Sequence, residues 1–419
     1  MSRRHAIANV LLPFAAGYYL SCLFRTINAL SSAALGADLH FSAAELGSLT
    51  SAYFFTFAIM QLPIGTALDR FGSRRVQLVL LPIAAAGAAL FAAAESFPLL
   101  LLGRGLIGLG SAAALMAGLK ALVLWLPKER IALANGCYIM LGALGAVTAT
   151  APAEALLDRL GWRGLFAALA AATLAATAVL WLMAPRDPRA PEVVGGAVRP
   201  RLRDVYLDRR FWHVAPLSAC CIGTAFALQG LWAGSWLADV AMFDRPAVVQ
   251  GLFAMALGLS VGAVSLGVAA DRLRRRGVRP RNMLAAVAAT SVLTQLALVL
   301  RMPISPGYLW TFIGIMGSGT VLSYAALAES FPKELAGRAN SALNVLHIGG
   351  AFLVQSGIGF VVELWPADVG GHYPADAYAA AFGLNIVPQV AALAWFLLCP
   401  MLLAGEKLAV ATVAPETSS

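Results

Sequence analysis

The sequence predicts an all-α membrane protein of twelve transmembrane helices, arranged as two pseudo-symmetric six-helix bundles. Three observations predict it: an apolar excess cut into span-length runs, a one-sided distribution of basic residues, and an internal repeat near half the chain length. Of 419 residues, 60% are hydrophobic and 12% charged, and the mean hydropathy is +0.78. A soluble globular protein averages about 45–50% apolar and about 25% charged. A single soluble core does not grow large enough to bury such an excess, whereas lipid is a natural solvent for it.

Runs of about 20 apolar residues cross a hydrocarbon core of about 30 Å as helices. Twelve such runs occur, at 8–34, 44–67, 76–96, 98–124, 131–157, 163–184, 213–239, 248–270, 282–301, 306–328, 339–363 and 377–403. They divide the chain into an N-terminal bundle (1–184), a linker (185–212), a C-terminal bundle (213–403) and a short mobile tail (404–419). The linker is the one long polar stretch, with Pro185, Arg186, Pro188, Arg189 and Pro191 followed by Arg199 to Arg210. The first apolar run is much longer than a signal-peptide core and contains Arg25, so it is read as an uncleaved helix.

The formal charge of +9 invites a nucleic-acid partner, but its placement argues against one. Arg3, Arg4, Arg70, Arg74, Arg75, Lys128, Arg130, the arginines between 186 and 210 and between 272 and 281, Lys333, Arg338 and Lys407 share one side. The opposite loops hold Arg159, Arg163, Arg245 and Arg301. This is the positive-inside asymmetry, and it places both termini in the cytoplasm. Cys22, Cys137, Cys220, Cys221 and Cys399 all lie in apolar runs without metal-site spacing, so neither a metal site nor a disulfide framework is expected.

The halves repeat. Gly65 and Gly267, Asp69 and Asp271, and Arg70 and Arg272 are each 202 residues apart, and Pro127-Lys128-Glu129 with Asn135 returns 205 residues later as Pro332-Lys333-Glu334 with Asn340. The stretch Gly65-x3-Asp69-Arg70-x-Gly72-x-Arg74-Arg75 resembles the signature loop between helices two and three of the major facilitator superfamily, and Gly267, Asp271 and Arg272 resemble its weaker copy. That resemblance covers essentially the whole chain. It implies two halves rocking about a midplane site, with these residues latching the cytoplasmic side when the cavity opens outward. The plainer reading is a basic loop that only sets topology.

Ionisable residues inside spans face a cavity or a partner because lipid penalises them. Arg25 lies in helix one with Asn28 near its face, and Arg104 opens a small-residue face of helix four with Gly108, Ser111 and Gly118. Each is read as a cavity charge, against snorkelling or a structural ion pair. Lys120 lies 16 residues beyond Arg104, about 160° around the helix and near the cytoplasmic end, where snorkelling is equally open. Gln229, Trp232 and Trp236 share a face of helix seven, and Asn340, Asn344, His347 and Gln355 one of helix eleven. Either set lines a site or glues helices, and the two tryptophans are suited to stacking on a ring. His347 is a packed residue or a proton carrier, and Asp239 is a further titratable candidate.

A narrower resemblance joins some of these. Arg25 with Leu30 and Ser31, Tyr53, Gln61, Pro63 and Gly65, and Arg104 with Gly108, Trp125 and Pro127 resemble helices one, two and four of anion:cation symporters. In that branch the two arginines hold an organic anion, which implies Arg25 and Arg104 as substrate ligands. Its carboxylates before the first arginine and after the second are replaced here by Phe24 and Ser111, which removes the groups on which its proton coupling rests. No catalytic constellation and no P-loop occur, so neither an enzyme nor ATP hydrolysis is expected. The sequence thus points to a monomeric secondary transporter of the cell inner membrane, taking up a small organic anion with a proton and needing no cofactor. Drug efflux by proton antiport is the alternative, although Ala146 stands where exporters carry the proline of a helix-five Gly-x3-Gly-Pro pattern. A non-transporting sensor is the remaining class, and no output module is visible for it.

Overall fold

The computed structural model describes residues 3–126, 128–186, 205–331, 333–368 and 370–412. Most of the expected linker (187–204), the repeated Pro127 and Pro332, and the last residues of the expected tail lie outside them. In order, the helices are α1 (Arg3–Leu39), α2 (Ala43–Phe71), α3 (Ser73–Ala93), α4 in two pieces (Phe97–Ser111 and Ala114–Trp125), α5 (Lys128–Thr148) and α6 (Ala151–Met183). After the linker come α7, interrupted by a π-helical turn (Arg209–Ala227, Leu228–Trp232, Ala233–Asp239), then α8 (Arg245–Arg275) and α9 (Pro280–Val299). The remainder are α10 in two pieces (Pro306–Gly317 and Thr320–Ser330), α11 (Lys333–Val362) and α12 (Ala375–Thr412). No strand occurs among the described residues.

Every apolar run of the sequence is met by a helix. Ten helices are long and apolar enough to cross a membrane as they stand, α2 qualifies as a pair bent by 54° at Pro63, and α5 is shorter. The run 131–157 is broken earlier than its hydropathy suggests. Pro152 cannot continue a hydrogen-bonded helix, so α5 ends at Thr148 and α6 restarts at Ala151. Gly161, at φ 66°, then kinks α6. At the other end, α12 runs on to Thr412, into the stretch read as a tail.

Local chemistry sets several starts. Ser42 and Glu45 form a reciprocal capping box at α2. Asp244 caps α8 through the Ala247 amide at 3.0 Å.

Helices within each half approach through small residues, as expected where lipid removes the hydrophobic drive between them. A side chain at Gly108 or Gly145 would run into the backbone of Tyr53 or Tyr19, so α4 lies directly on α2 and α5 on α1. Gly258, Gly262 and Gly314 do the same for α8 against α10, and Gly223 and Gly350 for α7 against α11.

The halves meet through α1 with α7, α2 with α11, and the loops around α6 and α8. The described hydrogen bonds, ion pair and ring contacts between them lie near the level of Arg25 or beyond it, toward the end opposite the termini. Ser51 bonds Ser356 at 2.7 Å, Phe55 packs on Phe352, and Gly47 and Gly359 bring α2 and α11 backbone to backbone. Arg245 bonds Glu154. Toward the termini no described hydrogen bond, ion pair or ring contact joins them. Gly65 on α2 and Gly267 on α8 have no heavy atom within 4 Å of where a Cβ would stand. Among the described residues the halves are joined at the far end and not at the termini end.

This packing predicts a contrast between glycines. Gly145→Val should destabilise the protein by about 1–3 kcal/mol, read as a lower melting temperature in detergent, whereas Gly136→Ala, with open space at its Cβ position, should leave it unchanged.

Candidate functional site

The break in α4 organises the N-terminal half of the site. At Ala112 and Ala113 the helical ladder stops, which frees carbonyls that lipid cannot satisfy. Side chains from three helices take them up. Ser21 of α1 donates to the Ser111 carbonyl at 3.3 Å, Gln61 of α2 to Ala112 at 2.9 Å, and Tyr138 of α5 to Ala114 at 2.6 Å. Gln61 is therefore committed to the backbone rather than free for a ligand. The break also separates Arg104, deep on the far-end piece, from Lys120 on the termini-end piece.

Arg104 is fully buried, 0% exposed, and none of its three guanidinium nitrogens meets an acceptor among the described residues. Its carbon lies 5.1 Å from the centre of the Tyr53 ring, whose hydroxyl donates to the Ser21 carbonyl at 3.1 Å. Tyr53 thus covers Arg104 and offers it a cation–π contact. The burial follows from the glycines at 103, 105 and 108, which let α2 and α3 close around this piece of α4.

Arg25 is placed differently. It projects from the middle of α1 at the seam between the halves, is only half-buried, and lies 4.4 Å over the ring of Phe226 on α7. Its guanidinium makes no hydrogen bond or ion pair with a described residue. Tyr18 stands about two turns below it on α1, stacked on Tyr138 at 5.1 Å with an interplanar angle of 12°. On the opposite wall Tyr324 of α10 lies 5.8 Å from the His347 ring and 3.4 Å from Asn344 Oδ1. Arg25, Tyr18, Phe226, Tyr324 and Asn344 flank the gap between the halves on the termini side of their contacts, the central chamber. Tyr18, Phe226 and Tyr324 were not singled out from the sequence. A lone aromatic in an apolar helix carries no signal until its neighbours are known, although Tyr18 lies on the Arg25 face at helical spacing.

The remaining expected site residues are packed. Gln355 is fully buried between the Ala227 carbonyl and the Trp232 indole N–H, 2.9 Å from each in the amide orientation that satisfies both. Trp232 fills the notch left by Gly47 and Gly359, and Trp236 packs edge-on against Trp310. Both tryptophans seal the far end instead of presenting a ring to the chamber. His347 is buried with Nε2 2.6 Å from Ser218 Oγ. Gln229, in the π-helical turn, borders a water-sized cavity with Thr26 and Thr150.

At the termini end Lys120 reaches Asp69 at 2.6 Å and the Leu68 carbonyl at 2.8 Å. It is thereby held at the mouth of the N-terminal half, away from Arg25 and Arg104. Gly72, at φ 82°, makes the turn between α2 and α3 that only glycine adopts without strain, and Arg74 donates to the Trp181 carbonyl at 2.6 Å. Arg70 stacks on Phe71. In the second copy, Asp271 and Arg272 are exposed. In this conformation the two loops make no described contact across the halves.

The far end is tied by polar contacts. Arg245 holds Glu154 through Nε and Nη2 at 2.5 and 2.6 Å, and its Nη2 also donates to the Leu30 carbonyl at 2.9 Å. This is the one ion pair between the halves among the described residues. Around it lies a cavity of about 640 Å³ that also takes in Asp38, Asp158, Trp162 and Arg163. A second tie runs through the loop before α12. Asp239 accepts from His372 at 2.7 Å, from the Tyr373 amide at 3.2 Å and from Tyr378 at 2.6 Å. The Tyr373 hydroxyl in turn accepts the Ala43 amide at the start of α2 at 3.0 Å.

Two pseudo-symmetric bundles, clamped at one end around a central chamber, define a membrane transporter rather than an enzyme. Residues 14–354 match the Major Facilitator Superfamily, and the chain belongs to it. It is 24% identical over 294 residues to the probable sulfoacetate transporter SauU of Cupriavidus necator, an alignment covering 65% of this chain and 66% of that one. It is 27% identical over 215 residues to the galacturonate transporter of Dickeya chrysanthemi, covering 46% and 61%. The chain thus spans less than two thirds of either relative's length, or just short of it. Among solved structures it is similar to a bacterial homologue of the human lysosomal transporter Spinster, in an inward-facing and unoccupied conformation. The TM-score is 0.78 at 18% identity, over 95% of this chain and 97% of that one.

The far-end ties yield two expectations. Glu154→Gln should raise the far-open population about fivefold, the worth of about 1 kcal/mol for a partly exposed pair. Spin labels at positions 36 and 242 would report it as a growing long-distance component, and an unchanged distribution would show that the pair is no tie. For His372, the hydrogen bond that its ring donates to Asp239 raises the imidazole's proton affinity. Its stabilisation is therefore full below the ordinary histidine value of about 6.5 and is lost as pH rises through the raised value. The melting-temperature difference between wild type and His372→Gln should accordingly be largest near about pH 6 and fade toward about pH 9.

Proposed function

We propose that the protein is a secondary active transporter that carries a small organic anion across the inner membrane by alternating access, as proton-linked uptake. The observation that carries this reading is Arg25: a guanidinium at mid-span, at the seam of the two halves, with no anionic partner among the described residues. Arginine retains its charge in such a place and matches a carboxylate or sulfonate through paired hydrogen bonds. A bound anion would supply the missing counter-charge. Arg104 adds a second unpaired cation behind Tyr53, within reach of an anion once that ring moves.

Basic loops at the termini end argue that this end is cytoplasmic, so the conformation described is open inward. Rocking to the outward-open state would break the Glu154–Arg245 pair and close the faces that bear Gly65 and Gly267, bringing the Asp69 and Asp271 loops to the other half as a latch. Transport needs a single chain, because the chamber is formed between halves of one chain. Among the described residues no carboxylate meets Arg25, so proton linkage is assigned to the far-end tie.

The test is uptake into proteoliposomes. Arg25→Ala should reduce anion uptake to background while the protein still inserts and melts normally, and uptake equal to wild type would refute the role given to Arg25. An inwardly directed proton gradient should accelerate wild-type uptake and have little effect on Glu154→Gln. Acceleration by a gradient in the opposite direction would instead indicate antiport.

A further inference from the structure

We propose, resting on the organic-anion reading above, that the chamber selects a monoanion with an aromatic or otherwise apolar body over a polyhydroxylated sugar acid. Charge comes first. Of the three basic side chains of the N-terminal bundle's interior, Arg104 is shut behind Tyr53 and Lys120 is neutralised by Asp69 at the mouth. Arg25 alone presents a free positive charge to the chamber, and one cation balances one negative charge.

Most of the polar inventory around Arg25 is already spent. Tyr53 and Gln61 donate to the carbonyls of Ser21 and Ala112, and Thr56 donates to Gly105 at 2.7 Å. Asn28 donates to Thr50 at 2.5 Å. His347 is paired with Ser218. Of the polar atoms with capacity left, Gln229 Nε2, Asn28 Oδ1 and His347 Nδ1 are buried without solvent contact, which leaves the amide nitrogen of Asn344 and the hydroxyls of Tyr18 and Tyr324. A sugar acid brings several hydroxyls besides its carboxylate, and each one desolvated without a partner opposes binding. A polar site that discriminates for hydroxyls needs groups waiting for them, and few are left beside Arg25.

Aromatic surface is what the chamber does offer. Tyr18 is held flat by its stack on Tyr138, and Phe226 lies under the Arg25 guanidinium. A ring carrying a carboxylate can engage Arg25 with its acid group and lie against Phe226 or Tyr18 with its face, burying apolar area in both contacts. Three of the groups that make this surface come from α1 and α7, the helices that cross at the seam, so the ligand would touch both halves at once.

The experiment measures binding of benzoate, cyclohexanecarboxylate, galacturonate and sulfoacetate to the full chain in nanodiscs by calorimetry, with Arg25→Ala and Phe226→Leu alongside. Both apolar monoanions should bind at least about tenfold more tightly than galacturonate or sulfoacetate. Arg25→Ala should abolish their binding, and Phe226→Leu should weaken benzoate more than cyclohexanecarboxylate. Galacturonate or sulfoacetate binding as tightly as benzoate in an Arg25-dependent way would overturn this inference and leave the organic-anion reading standing. Binding of none of the four, or benzoate binding insensitive to Arg25→Ala in a variant that melts like wild type, would overturn both. Arg25→Lys serves as the folded control should Arg25→Ala melt early, and it should retain weakened benzoate binding.

Discussion

The rest of this structure depends on the rule that backbone polar groups in lipid must find partners inside the protein. A straight helix obeys it without help. Wherever this chain departs from a straight helix, a side chain from a neighbour pays the debt, and those departures are what shape the chamber. The break in α4 is the clearest case, with its three carbonyls held by Ser21, Gln61 and Tyr138. Because those donors come from α1, α2 and α5, the same bonds tie four helices of one half into a unit. The break also directs Arg104 inward and Lys120 toward the mouth, so one irregularity distributes two cations.

Rigid halves with a weak seam follow from residue size. Inside each half, glycines let helices touch backbone to backbone, and such contacts resist sliding. Between the halves the contacts are fewer and end at the level of Arg25. The far-end seam combines glycine packing at Gly47 and Gly359 with one part-exposed ion pair and one hydrogen-bonded loop. Hydrogen bonds and ion pairs at a wet surface are individually modest, which suits a closure that has to be undone in every cycle. The Arg25 guanidinium lies where the seam ends, so a ligand bound there contacts both units.

Much of the fold was legible because hydropathy and charge are summed over many residues. Twelve runs were read and twelve helices stand there, and the motif around Asp69 marked the turn that Gly72 makes. Boundaries were less legible: the run 131–157 hides the stop before Pro152. In the site, Arg25 and Arg104 stand out in any reading because lipid penalises charge. Polar residues did not declare their role in the same way. Gln61 and Gln355 look like ligands by composition, yet their amides face carbonyls whose positions depend on a break in another helix and on a π-helical turn. Trp232 looked like a stacking platform and proved to be a wedge between two glycines that are more than 300 residues apart in the chain.

By itself, then, the sequence determined the solvent, the apolar runs, the two-fold repeat and the presence of basic residues within those runs, since each of these is a property of local composition or spacing. Only the tertiary structure decided which cation meets the chamber, which is sealed and which is paired. It also decided which end of the molecule is shut. These outcomes turn on distances between helices that are remote in sequence. A rotation of one helix by a fraction of a turn moves a side chain from cavity to core without changing its place in the pattern.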